Sequence, residues 1–316
     1  MRLLRLWPDE SHFDFMRLRR FSFPLSAALS IATVVLFVTI GLNFGIDFKG
    51  GTLVELRPKA GATADVGAVR HTANGFGFGE TEVQEYGQGS VSVRFPLQAG
   101  GETGQTLVMQ KAHAAFDADY TFERVETVGP RVSGELVQSG TIGVVLSVVA
   151  VLMYLWFRFE RELALGAIVG TLHDIVLTVG LFVITRIEFN MTSIAAILTI
   201  VGYSLNETVV VFDRTRELMR RYKTMPTVEL LNLSINSTMS RTVMTATSTA
   251  LSLVALVLFG GEAIKGFSVV MLVGVVLCTY SAIFISTPFL IYIGLQGHSN
   301  RSPGRDEDAA LKHAAE

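Results

Sequence analysis

Six apolar stretches, at about residues 22–42, 136–157, 163–184, 191–212, 240–259 and 267–293, are each long enough to cross roughly 30 Å of hydrocarbon at 1.5 Å per helical residue. Lipid offers backbone N–H and C=O groups no partners, so segments of this kind must satisfy them internally, as helices. Half of the 316 residues are apolar (50%), and the chain is expected to be a polytopic α-helical membrane protein. Between the first and second stretch lies a polar insert of about ninety residues, whereas the other connections are short. The expected organisation is an N-terminal segment 1–21, a first span 22–42, an extramembrane domain 43–134, a five-helix block 135–293 and a tail 294–316. The tail mixes Arg, Asp, Glu, Ser and Pro and is expected to be disordered.

Positive charge counted close to the spans sets the orientation, because Lys and Arg are retained on the cytoplasmic side. Arg2, Arg5, Arg17, Arg19 and Arg20 precede the first span, Arg158 and Arg161 separate the second from the third, and Arg214, Arg216, Arg220, Arg221 and Lys223 follow the fourth. The opposite short loops hold only Arg186 and Lys265. Both termini are therefore expected in the cytoplasm and residues 43–134 outside it, which in a bacterium with two membranes is the periplasm. No small-residue cleavage site follows the first apolar run, so it reads as a retained span.

Inside the insert, runs of period two and helical runs alternate. Phe48–Arg57 reads as a strand, Ala64–Phe76 as a helix, Thr81–Tyr86 and Ser90–Pro96 as strands joined at Gly87-Gln88-Gly89, Thr103–Phe116 as a helix and Tyr120–Val128 as a strand. The order βαββαβ predicts a periplasmic α+β domain of ferredoxin-like type, one sheet covered on one face by two helices. Gly129-Pro130 marks the return to the membrane.

Several function classes lack their residues. A net charge of -2 without a basic patch argues against nucleic-acid binding, and one cysteine, Cys278, excludes an intrachain disulfide, a Cys-rich zinc site and a CxxC redox motif. There is no GxxxxGK[ST] loop, HExxH helix or GxSxG elbow, so no nucleotide, cofactor, metal or enzyme chemistry is expected. The membrane potential remains as a source of work, about 2.3 kcal/mol per charge per 100 mV.

Ionisable side chains inside spans cost about 2.5–3.5 kcal/mol on insertion scales and mark function or structural pairing. The third span carries His173 and Asp174, which point about 100° apart on a helix, so each is expected to need its own partner. They read equally as a packing pair or as proton carriers. In the fourth span Thr199, Tyr203, Asn206 and Glu207 form a polar stripe at i, i+4, i+7 and i+8, and in the fifth Arg241, Thr245, Ser248 and Ser252 form another. Glu207 and Arg241 lie at similar depth, so a pair between them is expected, either as structural glue or as a switch. Burial disfavours a charged carboxylate and a nearby guanidinium favours it, so movement of Arg241 could load or release a proton.

Asn43-Phe44-Gly45-Ile46-Asp47-Phe48-Lys49-Gly50-Gly51-Thr52, directly after the first span, resembles the signature of the SecD/SecF family. Further matches are Leu172-His173-Asp174, Val201–Asn206 with Val209–Arg214 (ending in Asp213-Arg214), Arg241-Thr242, Leu258-Phe259-Gly260-Gly261 and Gly266-Phe267. The resemblance covers about residues 20–293, and a single insert with six spans is similar to the SecF branch. It implies an inner-membrane subunit that pairs with SecD in a twelve-span assembly related in fold to resistance-nodulation-division exporters. It further implies association with the SecYEG translocon, with YajC and YidC, and use of the proton motive force to draw unfolded secreted polypeptides outward. By the same resemblance Glu207 is the proton-linked carboxylate and Arg241 its partner, although the family pattern usually has Asp where this chain has Glu207. The alternatives are a resistance-nodulation-division-type exporter subunit, a non-catalytic scaffold of the Sec complex, or an intramembrane hydrolase built on His173 and Asp174.

Overall fold

The computed structural model describes Pro8 and residues 11–59, 63–87 and 89–295. Arg2, Arg5, Gln88 and the tail from residue 296 lie outside the described residues. Among the described residues six helices are long and apolar enough to cross a membrane. They are α1 (Arg19–Thr39, entered through a 3-10 turn at Phe15–Leu18), α5 (Pro130–Arg158), α6 (Arg161–Thr185), α7 (Met191–Arg221), α8 (Thr227–Phe259), and α9 (Glu262–Ser281), which continues through a wide π-helical turn at Ala282–Ser286 into α10 (Thr287–Tyr292). The insert contributes α2 (Ile46–Lys49), β1 (Gly51–Pro58), α3 (Val66–Asn74), β2 (Glu82–Tyr86), β3 (Ser90–Phe95), α4 (Glu102–Phe116) and β4 (Tyr120–Val128).

Burial sorts the six long helices into two tiers. In α6 and in α9–α10, 56% of the most apolar stretch is buried, and 50% in α7, against 17% in α1 and 11% in α5 and α8. Glycines permit the close approach at the centre. Gly166 and Gly170 of α6, four residues apart, lie against the π turn, where a side chain on Gly170 would overlap Ser286. The π turn has an identifiable cause. Pro288 lacks the N–H that would bond the Phe284 carbonyl one turn back, and Ser22 of α1 donates to that carbonyl instead at 3.0 Å. Ser26 and Tyr280 meet nearby at 3.0 Å, tying α1 to α9. At the same end, where Phe15 packs on Phe284, Asn232 and Asn236 of α8 hold the N-terminal segment, through bonds to the Met16 and Phe13 amides at 3.0 Å.

The sheet runs β2-β3-β1-β4 with every neighbouring pair antiparallel, the split βαβ arrangement. Val54, Leu56, Val91, Val93 and Phe95 bury one face under Val69, Ala73, Val108, Ala112 and Phe116 of α3 and α4. A bulge at Glu55/Leu56 resets the alternation of β4, so Phe122 pairs with core Leu56 while Arg124 pairs with Glu55. Glu55 lies on the face lining a cavity of about 600 Å³ above the bundle. Within this domain the start of β1 departs from the sequence reading: Phe48 and Lys49, expected in the strand, close a single helical turn. Gly50, at φ +70°, ends that turn, and the strand starts one residue later.

Candidate functional site

Glu207 sits 16 residues into α7, is 2% exposed and turns towards α8. Thr245 Oγ1 lies 3.0 Å from Glu207 Oε1, and also 3.0 Å from the Thr242 carbonyl and 3.1 Å from that of Arg241. A hydroxyl has a single proton, so Thr245 can serve the carboxylate or its own helix, and can accept from Glu207 when that residue is protonated. The buried Tyr203 hydroxyl, one turn before Glu207, faces the same group, beside Glu207, Thr245 and Thr249. Arg241 is within electrostatic range of Glu207, yet it is exposed and no ion pair within 4.0 Å joins them; Thr245 takes the carboxylate. Of the two polar stripes, Thr199, Asn206, Arg241, Ser248 and Ser252 lie on the exposed side of α7 and α8.

A second cluster lies at the centre of the bundle. Asp174 is fully buried and accepts from Ser204 of α7 at 2.6 Å and Ser281 of α9 at 2.7 Å. His173 does not find a separate neighbour as expected from its direction on the helix. Its Nδ1 meets Asp174 Oδ1 at 3.2 Å, leaving Nε2 buried with no hydrogen-bond partner among the described residues. Ser204 and Ser281 were not singled out from sequence, where nothing marks a serine 30 or 107 residues away as a carboxylate's donor. Cys278, buried beside them, directs its thiol at the Ile200 carbonyl at 3.6 Å.

The remaining signature residues form joints. Arg158 and Arg216 bind Asp213 at 2.7 and 3.4 Å, and Arg214 binds Glu217 at 2.6 Å and Ser237 at 3.0 Å, tying α5, α7 and α8 at the end remote from the sheet. Gly260 and Gly261 make the α8–α9 turn, with Gly261 at φ +72°. Asp47, Gly45, Gly50 and Gly51 lie where α1, the sheet and the start of α7 meet. No group of three or more His, Cys, Asp or Glu among the described residues could hold a metal ion.

Residues 108–296 match the family described as "Protein export membrane protein SecD/SecF, C-terminal", and residues 35–62 match the "SecD/SecF GG Motif". The chain belongs to the SecD/SecF family. The Protein translocase subunit SecF of Rhodobacter capsulatus is 40% identical, with 96% of each chain covered, and that of Cereibacter sphaeroides is 39% identical, with 98% of each covered. The Protein translocase subunit SecDF of Brucella abortus is 42% identical over 93% of this chain but only 39% of its own length. The crystal structure of SecDF from Thermus thermophilus, described as a translocon-associated membrane protein, superposes with a TM-score of 0.82 at 30% identity, over 92% of this chain and 40% of that one. A SecDF chain in a super-membrane-facing form gives 0.64 at 28% identity, over 98% and 41%. The chain thus spans about two fifths of the SecDF chains and nearly the whole of the SecF chains, and the family places it among membrane proteins of protein export.

Proposed function

We propose that this chain is a SecF-type, non-enzymatic subunit that works with SecD and uses the proton motive force to promote translocation and release of secreted polypeptides through the Sec translocon. The observation carrying this reading is Glu207, a carboxylate buried midway along α7 against a hydroxyl that can change partners. In the proposed cycle Thr245 donates to the ionised carboxylate, and Arg241 approaches it to expel the proton or swings away to let it reload. Asp174 and His173 form a second buried pair, joined to α7 through Ser204 three residues before Glu207, and Asn206 lies on the exposed side of α7.

The exposed groups favour SecD as the direct partner. Asn206, Arg241, Ser248 and Ser252 lie on helices that would otherwise present them to lipid, where polar groups are expensive, so a protein surface is expected to cover them. In the SecDF relatives the length that this chain lacks is available to supply it. The arginine distribution supports an inner-membrane placement with both termini cytoplasmic and residues 43–134 periplasmic, within reach of SecYEG, YajC and YidC. A hydrolase reading finds no support, because Ser204 donates to Asp174 rather than to an imidazole nitrogen, so nucleophile and base are not in line.

The test replaces Glu207→Gln and Arg241→Met separately. Both variants are expected to lose proton uptake into vesicles holding the complex with SecD, and to lose export in a depleted strain. Full proton uptake in both would refute the proposed proton site.

A further inference from the structure

The signature segment Asn43–Thr52 takes no part in the proton chemistry, yet the polar groups of Asn43–Asp47 converge on one place, the N-terminal end of α7. The Phe189 amide donates to the Asn43 carbonyl at 2.7 Å and the Gly45 amide to the Phe189 carbonyl at 2.9 Å, forming a parallel bridge between Phe44 and Phe189. The Asn43 side chain donates to the Arg186 carbonyl at 2.9 Å, and the Arg186 guanidinium returns to the Gly41 carbonyl at 2.8 Å. Asp47 accepts from the amide of Met191, the first residue of α7, at 2.8 Å. That amide is one of the donors a helix start leaves free, and a carboxylate there also faces the positive end of the helix dipole.

The sheet domain adds its own bond to the same place. Arg94 of β3, whose side chain is 8% exposed, binds Glu188 of the α6–α7 loop at 2.8 Å, Glu82 of β2 at 2.6 Å and the Phe44 carbonyl at 3.1 Å. Phe44, Phe48 and Phe189 close around this joint with ring centroids 5.7–5.9 Å apart. A side chain at Gly45 would run into Glu188, so the close approach depends on glycine. The chain connects the domain to α1 and α5 only, through residues 40–50 and 129. The side-chain bonds instead attach it to α7, the helix on which Glu207 lies 16 residues, about 24 Å, from Met191.

We propose that Asp47, Arg94 and Glu188 are coupling residues that make the sheet domain and α7 move as one body, so that a displacement of α7 at Glu207 is delivered to the domain that faces the exported polypeptide. The proposal rests on the proton-driven reading above and assigns the signature segment its part in it. These residues position; none handles the proton. Uncoupling should therefore separate two quantities that a general loss of structure would lower together.

The experiment uses the full chain with SecD. Asp47→Ala and Glu188→Ala are expected to keep proton uptake within about twofold of wild type while export falls on the order of tenfold, inside the usual range for coupling between sites. Glu188→Asp should recover part of the export. In the Asp47→Ala background, Phe44→Cys with Phe189→Cys supplies a covalent substitute at the bridge, and export should return under oxidation and fall again on reduction. Export and proton uptake falling in proportion, export unaffected in both alanine variants, or no recovery from the oxidised pair would each overturn the coupling role. Retention of proton uptake by Glu207→Gln would instead refute the proton-driven reading itself, and the two failures are thereby told apart.

Discussion

Removing the Ser204 or Ser281 hydroxyl tests how Asp174 is held. Each donates to the same carboxylate oxygen, at 2.6 and 2.7 Å, in a site from which Asp174 exposes nothing. Hydrogen bonds between transmembrane helices average only about 0.6 kcal/mol, because a chain unfolded within the membrane still finds partners. A bond to a charged acceptor is worth more, about 1.5–3 kcal/mol, against about 0.5–1.5 kcal/mol for a neutral pair. With a buried carboxylate as the shared acceptor, Ser204→Ala and Ser281→Ala should each cost more than an average interhelical bond, about 1.5 kcal/mol. The double variant should depart from additivity, since either serine alone still shields the carboxylate. Thr178→Ala is the control: its hydroxyl is buried on the same helix but bonds only the Asp174 main-chain carbonyl, at 2.7 Å, and its loss should cost no more than about 0.6 kcal/mol. Equilibrium unfolding in mixed micelles reads all four variants. If both serine variants unfold with the free energy of the threonine control, the two hydroxyls do not hold the Asp174 carboxylate and the reasoning fails.

Other expectations follow from the same contacts. Phe95→Ala, in the fully buried core of the sheet domain, should cost about 3–5 kcal/mol and make residues 43–134 the first segment cut by added protease; unchanged cleavage would contradict the packing described. Ser22→Ala should destabilise the wild type by roughly 1 kcal/mol but have less effect in a Pro288→Ala background, where the Phe284 carbonyl regains a helical donor; equal effects would mean that Ser22 does not cap it. Arg158→Ala should cost no more than about 1 kcal/mol, since both it and Asp213 are about a third exposed and Arg216 remains beside the carboxylate; a loss above 2 kcal/mol would place the pair in a drier setting than its exposure indicates.

What was legible in the sequence follows the range over which its signals act. Hydrophobic period gave six helices and the βαββαβ order, and β4 occupies Tyr120–Val128 as read, but the bulge that resets its alternation opposite Glu55 and Leu56 was not legible. The single turn Ile46–Lys49 was not legible, since four residues are too few to carry a period and Gly50 reads equally as part of a strand start. The first turns of α8, from Thr227, were missed because Asn232 and Asn236 lower the apolarity there; they serve the N-terminal segment more than two hundred residues away. At the site, spacing identified which residues share a helix face but not which way that face turns. Glu207 points inward and Arg241 outward, and the inward carboxylate meets Thr245, one turn beyond the arginine expected there. The donors to Asp174 come from two other helices, and only folding brings them together.

The solitary thiol has a practical consequence. Cys278 has no exposed surface, and the sequence contains no second cysteine, so a maleimide dye or spin label added in aqueous buffer should leave the wild-type chain unmodified. Reporter cysteines can then be introduced in pairs, one on the sheet domain and one at the remote end of α7, without first stripping the protein of a native residue. Distances between them, followed as a transmembrane pH difference is imposed, would trace the motion of the working complex in its natural sequence background.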